Sequence, residues 1–199
     1  IAAGAGLLLA IATVYATSMI YRSIKAVPAW AHILVPINYL LLATASGVLI
    51  LRAISFAVDA DAILTLLSPY ITINILVACL FGKFAYWYFI DTLVPAETIQ
   101  SATGLKGDVK MFERPHSGEN YLTKEMGYRA ARATCKRRRM LALLLGFILP
   151  GMFIMQTGIT GLYLLAAISC MIGLMFERWL FFAEARHTTM LYYGGSMKP

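Results

Sequence analysis

Little in this chain is suited to water. Charged residues make up only 14% of it, against about 25% in a soluble globule. Sixty per cent of the 199 residues are hydrophobic. Folded in water, such a chain would present wide apolar patches, so its natural solvent is lipid. Histidine and cysteine are scarce, three of each. Cys79, Cys135 and Cys170 have no metal-ligand spacing. Cys79 and Cys170 lie in apolar runs, where cysteine acts as a small hydrophobe. An iron–sulfur cluster within this chain is thereby excluded. His32 and His187 flank apolar runs and His116 lies in a polar stretch, so no haem held by two mid-membrane histidines is expected. Phosphate-binding loops, zinc-protease motifs and nucleophile elbows are missing. Nothing resembles a nucleic-acid recognition fold. No basic leader precedes the first apolar run, so Ile1–Ile20 does not have the form of a signal peptide. It starts abruptly at Ile1, as if the numbering began inside a longer protein.

What is present is a series of apolar runs. A membrane span needs about 20 such residues. Five segments are expected to qualify: 1–21, 33–51, 69–90, 140–155 and 162–182. Arg22 ends the first and Arg52 the second, and Pro69 is placed to open the third. The uncharged stretch 140–176 is too long for one span and breaks at Gln156–Gly161, with a kink expected at Pro150-Gly151. The expected fold is all-α, a polytopic transmembrane helix bundle forming a single integral membrane domain. Basic residues favour cytoplasmic connections. They alternate along the chain in a way that puts Ile1 outside, the connection 91–139 inside and the C-terminus in the cytoplasm.

The connection 91–139 is the one long polar segment. Between Lys106 and Arg139 it carries ten basic and four acidic residues, six of the chain's seven net positive charges. It begins irregular and is expected to turn helical from Asn120 to Arg139, in a helix that runs into the fourth span. Such a loop can simply hold its side of the membrane and touch anionic membrane lipid. Arg114, Lys124, Arg129 and Arg132 can also dock a soluble partner. Ionisable groups at membrane depth are functional candidates. Lys83 lies among aromatic residues near the end of the third span and is expected to snorkel to the headgroups. Glu177, Arg178, Glu184 and His187 end the last span. Glu184 and His187, three apart, can pair on a helix, which suggests a proton-handling site; the plainer alternative is a set of interfacial charges.

Three stretches carry a resemblance: IYRSIKAVPAW (Ile20–Trp30), ERPHSGENYLTKEMGYRAAR (Glu113–Arg132) and ERWLFFAEARHTTMLYYG (Glu177–Gly194). They resemble the membrane anchor subunit of dimethyl sulfoxide reductase, the DmsC family, along almost the whole chain. The resemblance implies a bundle of about eight spans, of which these five would be the C-terminal part. It implies a bacterial inner membrane location and two partners, an iron–sulfur electron-transfer subunit and a molybdopterin catalytic subunit. It implies oxidation of a quinol, menaquinol or ubiquinol, with electrons passed to the iron–sulfur partner in anaerobic respiration, and no haem. The family's quinol-site histidine lies in early spans without counterpart here.

A quinol pocket needs aromatic walls and acid–base groups near the membrane surface. Tyr21, Trp30, Glu177, Trp179 and His187 are the quinol-binding candidates. Two alternatives stand beside this one. A multi-span transporter would show broken helices and internal repeats; no repeat is visible. A passive anchor without a redox role would use the same basic loop.

Overall fold

Lipid offers peptide groups no hydrogen-bond partner, so each apolar run satisfies its own backbone as a helix. The computed structural model describes residues 2–58, 63, 66–93, 98–107, 109–110, 112–113, 134–156 and 160–193. Among the described residues, five helices are long and apolar enough to cross a membrane. They are α1 (Ala2–Arg22), α2 (Leu34–Ala57), α3 (Pro69–Thr92), α4 (Cys135–Met155) and α5 (Thr160–Ala183). A single-turn helix at Ile99–Thr103 and a 3-10 segment at Thr188–Tyr193 complete the order, with no strand among the described residues.

Local sequence explains several ends. Ser68 caps α3, its hydroxyl accepting from the Ile71 amide at 3.4 Å, with Pro69 in the first turn. α4 begins five residues before the expected Met140, so Lys136, Arg137, Arg138 and Arg139 belong to its first turns. Pro150 cannot donate to the carbonyl four residues back. Pro150-Gly151, where a kink was expected, lies in regular helix, and the irregularity comes just before it as a π turn at Leu144–Ile148, closed by the Leu149 amide on the Leu144 carbonyl. Arg52 does not bound the second span: α2 runs on to Ala57, and Arg52 is 2% exposed with its guanidinium 5.0 Å from the Tyr163 ring.

α2 is the central helix and packs on α1, α3 and α5; α4 leans on α3 and α5. Leu42, Leu49, Leu76, Phe147, Ile154 and Ala166 fill the space among α2 to α5. Small residues let helices approach in lipid, where van der Waals packing replaces the hydrophobic effect. Gly173 of α5 lies against the Gly146 backbone of α4, and a Cβ there would overlap it. Beside that contact the Ser169 hydroxyl donates to the Leu145 carbonyl at 2.8 Å. α1 is the least enclosed helix, burying only Ser18 completely. One end of the bundle gathers the 23–33 connection, the end of α3, the start of α4 and the end of α5. It is called the loop-bearing end below.

Candidate functional site

At the loop-bearing end, aromatic side chains bind α1, the 23–33 connection and α5 together. Trp30 stacks on Phe181 at 5.4 Å and 12°, and its indole N–H donates to the Phe181 carbonyl at 3.0 Å. Tyr21 meets Trp30 edge-on at 5.4 Å and Phe181 at 5.2 Å. The Tyr86 hydroxyl donates to the Ala29 carbonyl at 3.1 Å, and the Thr188 amide to the Ala26 carbonyl at 2.9 Å. The first and last of the three family-like stretches are therefore one packed unit. Aromatic pairs of this kind each add about 0.5–1.5 kcal/mol beyond their buried area.

Behind this cluster lies a charge triad in which Lys83 and Glu177 are buried and Arg178 is half-buried. Lys83 Nζ sits 2.5 Å from Glu177 Oε1, with the two side chains 2% and 1% exposed. Arg178 Nε donates to the other carboxylate oxygen, also at 2.5 Å. Lys83 thus does not snorkel. It lies nine residues before the end of α3, about 14 Å at 1.5 Å per residue, beyond the reach of its side chain. A carboxylate at matching depth on α5 takes its charge instead. Lys83 also rests 4.7 Å from the Tyr86 ring and 5.0 Å from that of Trp87.

A second group lies nearer the surface. Arg139 of α4 bonds Glu184 through Nε at 2.6 Å and Asp91 through both terminal nitrogens at 2.6 and 2.8 Å. The Asp91 side chain is 55% exposed, so its share of the bridge is screened by solvent. Trp87 links the two charge groups, with Arg139 5.2 Å from its ring. Burial raises the Glu184 carboxyl above the usual range, against the opposing pull of Arg139 and Lys83. The expected Glu184–His187 pair does not form. α5 ends at Ala183, so helical spacing no longer applies. His187 Nδ1 instead takes the Thr189 amide at 3.2 Å and lies 2.9 Å from its hydroxyl. Arg138 covers the Trp179 ring at 3.6 Å. His32 stacks on Phe89 at 3.9 Å, and burial together with Arg22 lowers its proton affinity.

Between α1, α2 and α5 is a partly open cavity of about 280 Å³. Val14, Leu42, Ala43 and Leu174 form its apolar walls. Thr13, Thr17 and Ser46 also line it, but each hydroxyl donates to a carbonyl of its own helix. Tyr39 and Arg178 supply the remaining polar hydrogens, the guanidinium lying 4.3 Å from the Tyr39 ring. Among the described residues no cluster of His, Cys, Asp or Glu is arranged to hold a metal.

Of the five candidates named from sequence, Tyr21 and Trp30 meet directly, and Trp179 packs on the same cluster. Glu177 stands one bond behind the cavity, through Arg178. His187 is held beside the 23–33 connection and lies apart from the cavity lining. Arg114, Lys124, Arg129 and Arg132 lie outside the described residues, as does most of the expected helix from Asn120 to Arg139. Sequence reasoning missed Tyr39, Asp91 and Arg139. The available signal was depth: Lys83 and Glu177 have opposite charge and lie at similar distances from helix ends that point the same way.

The DMSO reductase anchor subunit (DmsC) family matches residues 5–194. A component of the sulfite dehydrogenase of Allochromatium vinosum is 30% identical over 192 residues, 94% of this chain. The alignment covers 58% of that protein, so the chain spans a little over half its relative's length. No solved structure matches. With a match along nearly its whole length, the chain belongs to the DMSO reductase anchor subunit family.

Proposed function

We propose that this chain exchanges electrons between membrane quinol and an iron–sulfur subunit that it anchors, together with a molybdopterin catalytic subunit, to the bacterial inner membrane. The carrying observation is the cavity between α1, α2 and α5. Ligand sites usually run from about 300 to 1,000 Å³. At about 280 Å³ this one suits a single substituted ring, menaquinol or ubiquinol, with its tail left in lipid. Apolar walls hold the ring, and the Tyr39 hydroxyl and Arg178 guanidinium can bond its two kinds of oxygen, protonated or not. Glu177, behind Arg178, and the Tyr21–Trp30 cluster support that wall. Trp179 and His187 lie toward the surface, where the partner's nearest redox centre must approach.

The family description names a reductase, which on this reading takes its electrons from quinol. The relative is named a dehydrogenase, which favours the reverse direction with quinone as acceptor. The same cavity serves both, since the ring and its two protons are the same. The basic residues Arg114, Lys124, Arg129 and Arg132 are assigned to partner docking or to lipid contact on the cytoplasmic side.

Binding of a fluorescent hydroxyquinoline N-oxide, a quinol analogue, tests the site. Ala43→Phe is expected to fill the cavity and abolish quenching. Tyr39→Phe removes one hydrogen bond, about 0.5–1.5 kcal/mol, and is expected to weaken binding several-fold. Wild-type affinity in both variants would remove the cavity from consideration.

A further inference from the structure

We infer that Glu177, Lys83 and Glu184 form a proton relay between the quinol cavity and the aqueous surface at Asp91. The inference rests on the quinone function proposed above and adds a route for its protons.

Oxidation of one quinol releases two protons and two electrons. The electrons leave in turn to the one-electron iron–sulfur centre of the partner subunit. The protons start in a cavity walled by hydrocarbon and need polar groups to leave it. Arg178 lines the cavity and bonds Glu177, yet a guanidinium does not give up its proton. It orients the carboxylate. Among the described residues Glu177 is the carboxylate joined to the cavity lining, through Arg178, and it touches Lys83 at its other oxygen.

Charge bookkeeping favours a hop through this pair. With Glu177 ionised, the triad of Lys83, Glu177 and Arg178 carries one net positive charge. A proton resting on Glu177 would raise that to two in a buried site. If Lys83 releases a proton outward as Glu177 takes one from the cavity, the net charge is unchanged. Transfer from Glu177 to Lys83 then restores the starting state.

Glu184 is the next acceptor, within electrostatic reach of Lys83. Trp87 spans the interval, its ring 5.0 Å from Lys83 and 5.2 Å from Arg139. Two buried polar atoms there have no partner among the described residues, the Trp87 indole N–H and Glu184 Oε2. The other Glu184 oxygen is held by Arg139. The charges acting on Glu184 are those of Arg139, Lys83 and Asp91. Arg139 holds Glu184 as Arg178 holds Glu177 and carries no proton itself; its exposed partner Asp91 marks where the aqueous surface begins. Raised proton affinity at Glu184 suits a group that must hold a proton in passing.

The competing role is mechanical, an ion network that fastens α3, α4 and α5. Glu184→Gln separates the two, because its amide oxygen still accepts from Arg139 but carries no proton. In membrane vesicles holding the assembled complex, quinol-dependent reduction of the soluble subunits is measured for wild type, Glu184→Gln and Glu184→Asp. The relay requires kcat to fall at least about a hundredfold in Glu184→Gln, the low side of acid–base contributions. KM and hydroxyquinoline N-oxide binding should stay as in wild type. Glu184→Asp should remain within a few-fold of wild type, and formic acid at millimolar concentration should restore part of the Gln rate. Wild-type kcat in Glu184→Gln overturns the relay. So do equal losses in Gln and Asp without rescue by formic acid, which would assign the network a fastening role. Absence of analogue binding in wild type would instead overturn the quinone function beneath it.

Discussion

Glu177→Gln and Lys83→Met remove opposite ends of the same buried ion pair, yet they are expected to differ by about 3 kcal/mol. The asymmetry comes from counting charges. Glu177 serves two cations, Lys83 and Arg178, each 2.5 Å away. Lys83→Met leaves Glu177 and Arg178 as a neutral pair and puts a flexible apolar chain of similar length against Tyr86 and Trp87. Replacing a buried charge by a well-packed apolar group is often close to neutral, so a loss under about 1 kcal/mol is expected. Glu177→Gln strands the Lys83 ammonium, whose side chain is 2% exposed. Uncompensated buried charges cost about 3–5 kcal/mol. The upper bound is the alternative open to a stranded ammonium, loss of its proton, about 5 kcal/mol at pH 7 from the reference lysine value. Arg178, 32% exposed, can turn its charge outward and adds less. The double variant should recover most of the loss. Reversible unfolding in mixed micelles, followed by tryptophan fluorescence, measures all three; Trp87 lies against Lys83 and reports on the site. A loss in Lys83→Met equal to or greater than that in Glu177→Gln would refute the charge count.

Gly173→Ala should cost about 1–3 kcal/mol, because its Cβ would overlap the Gly146 backbone and force α4 from α5. Gly146→Ala, whose Cβ would sit 3.7 Å from Gly173, should stay within about 1 kcal/mol of wild type in the same assay. His32 should titrate below 6.5 by NMR, and Arg22→Gln should raise its midpoint. Because the folded value is depressed, the stability its neutral ring confers is full above 6.5 and fades as pH falls through the folded value. Trp30→Phe leaves the Phe181 carbonyl without its indole donor and should cost about 1 kcal/mol, read from the same unfolding curves.

The five spans were legible because their cause is local. Around 20 apolar residues in a row must form a helix in lipid, and this holds whatever packs beside them. The ends were less legible where charge was taken to mean water. Arg52 was expected to stop the second span, but α2 carries it inward against Tyr163. Lys136 to Arg139 were expected in a helix leading into the fourth span, and they do open α4, where Arg139 finds Glu184 and Asp91. The aromatic and charged residues of the site were also visible in the sequence. Their partners were not.

The sequence by itself determined which segments enter the membrane, that Lys83 and Glu177 lie where charge is costly, and that Glu184 follows the last span. Tertiary structure decided how that cost is met: Lys83 by Glu177 rather than by headgroups, Glu184 by Arg139 rather than by His187. It also decided where a ring can bind, since the cavity walls come from three helices and each helix alone shows only an ordinary apolar face. Hydrophobicity is a property of single residues and can be read along a chain, whereas counter-charges and cavities exist only between helices once their neighbours are known.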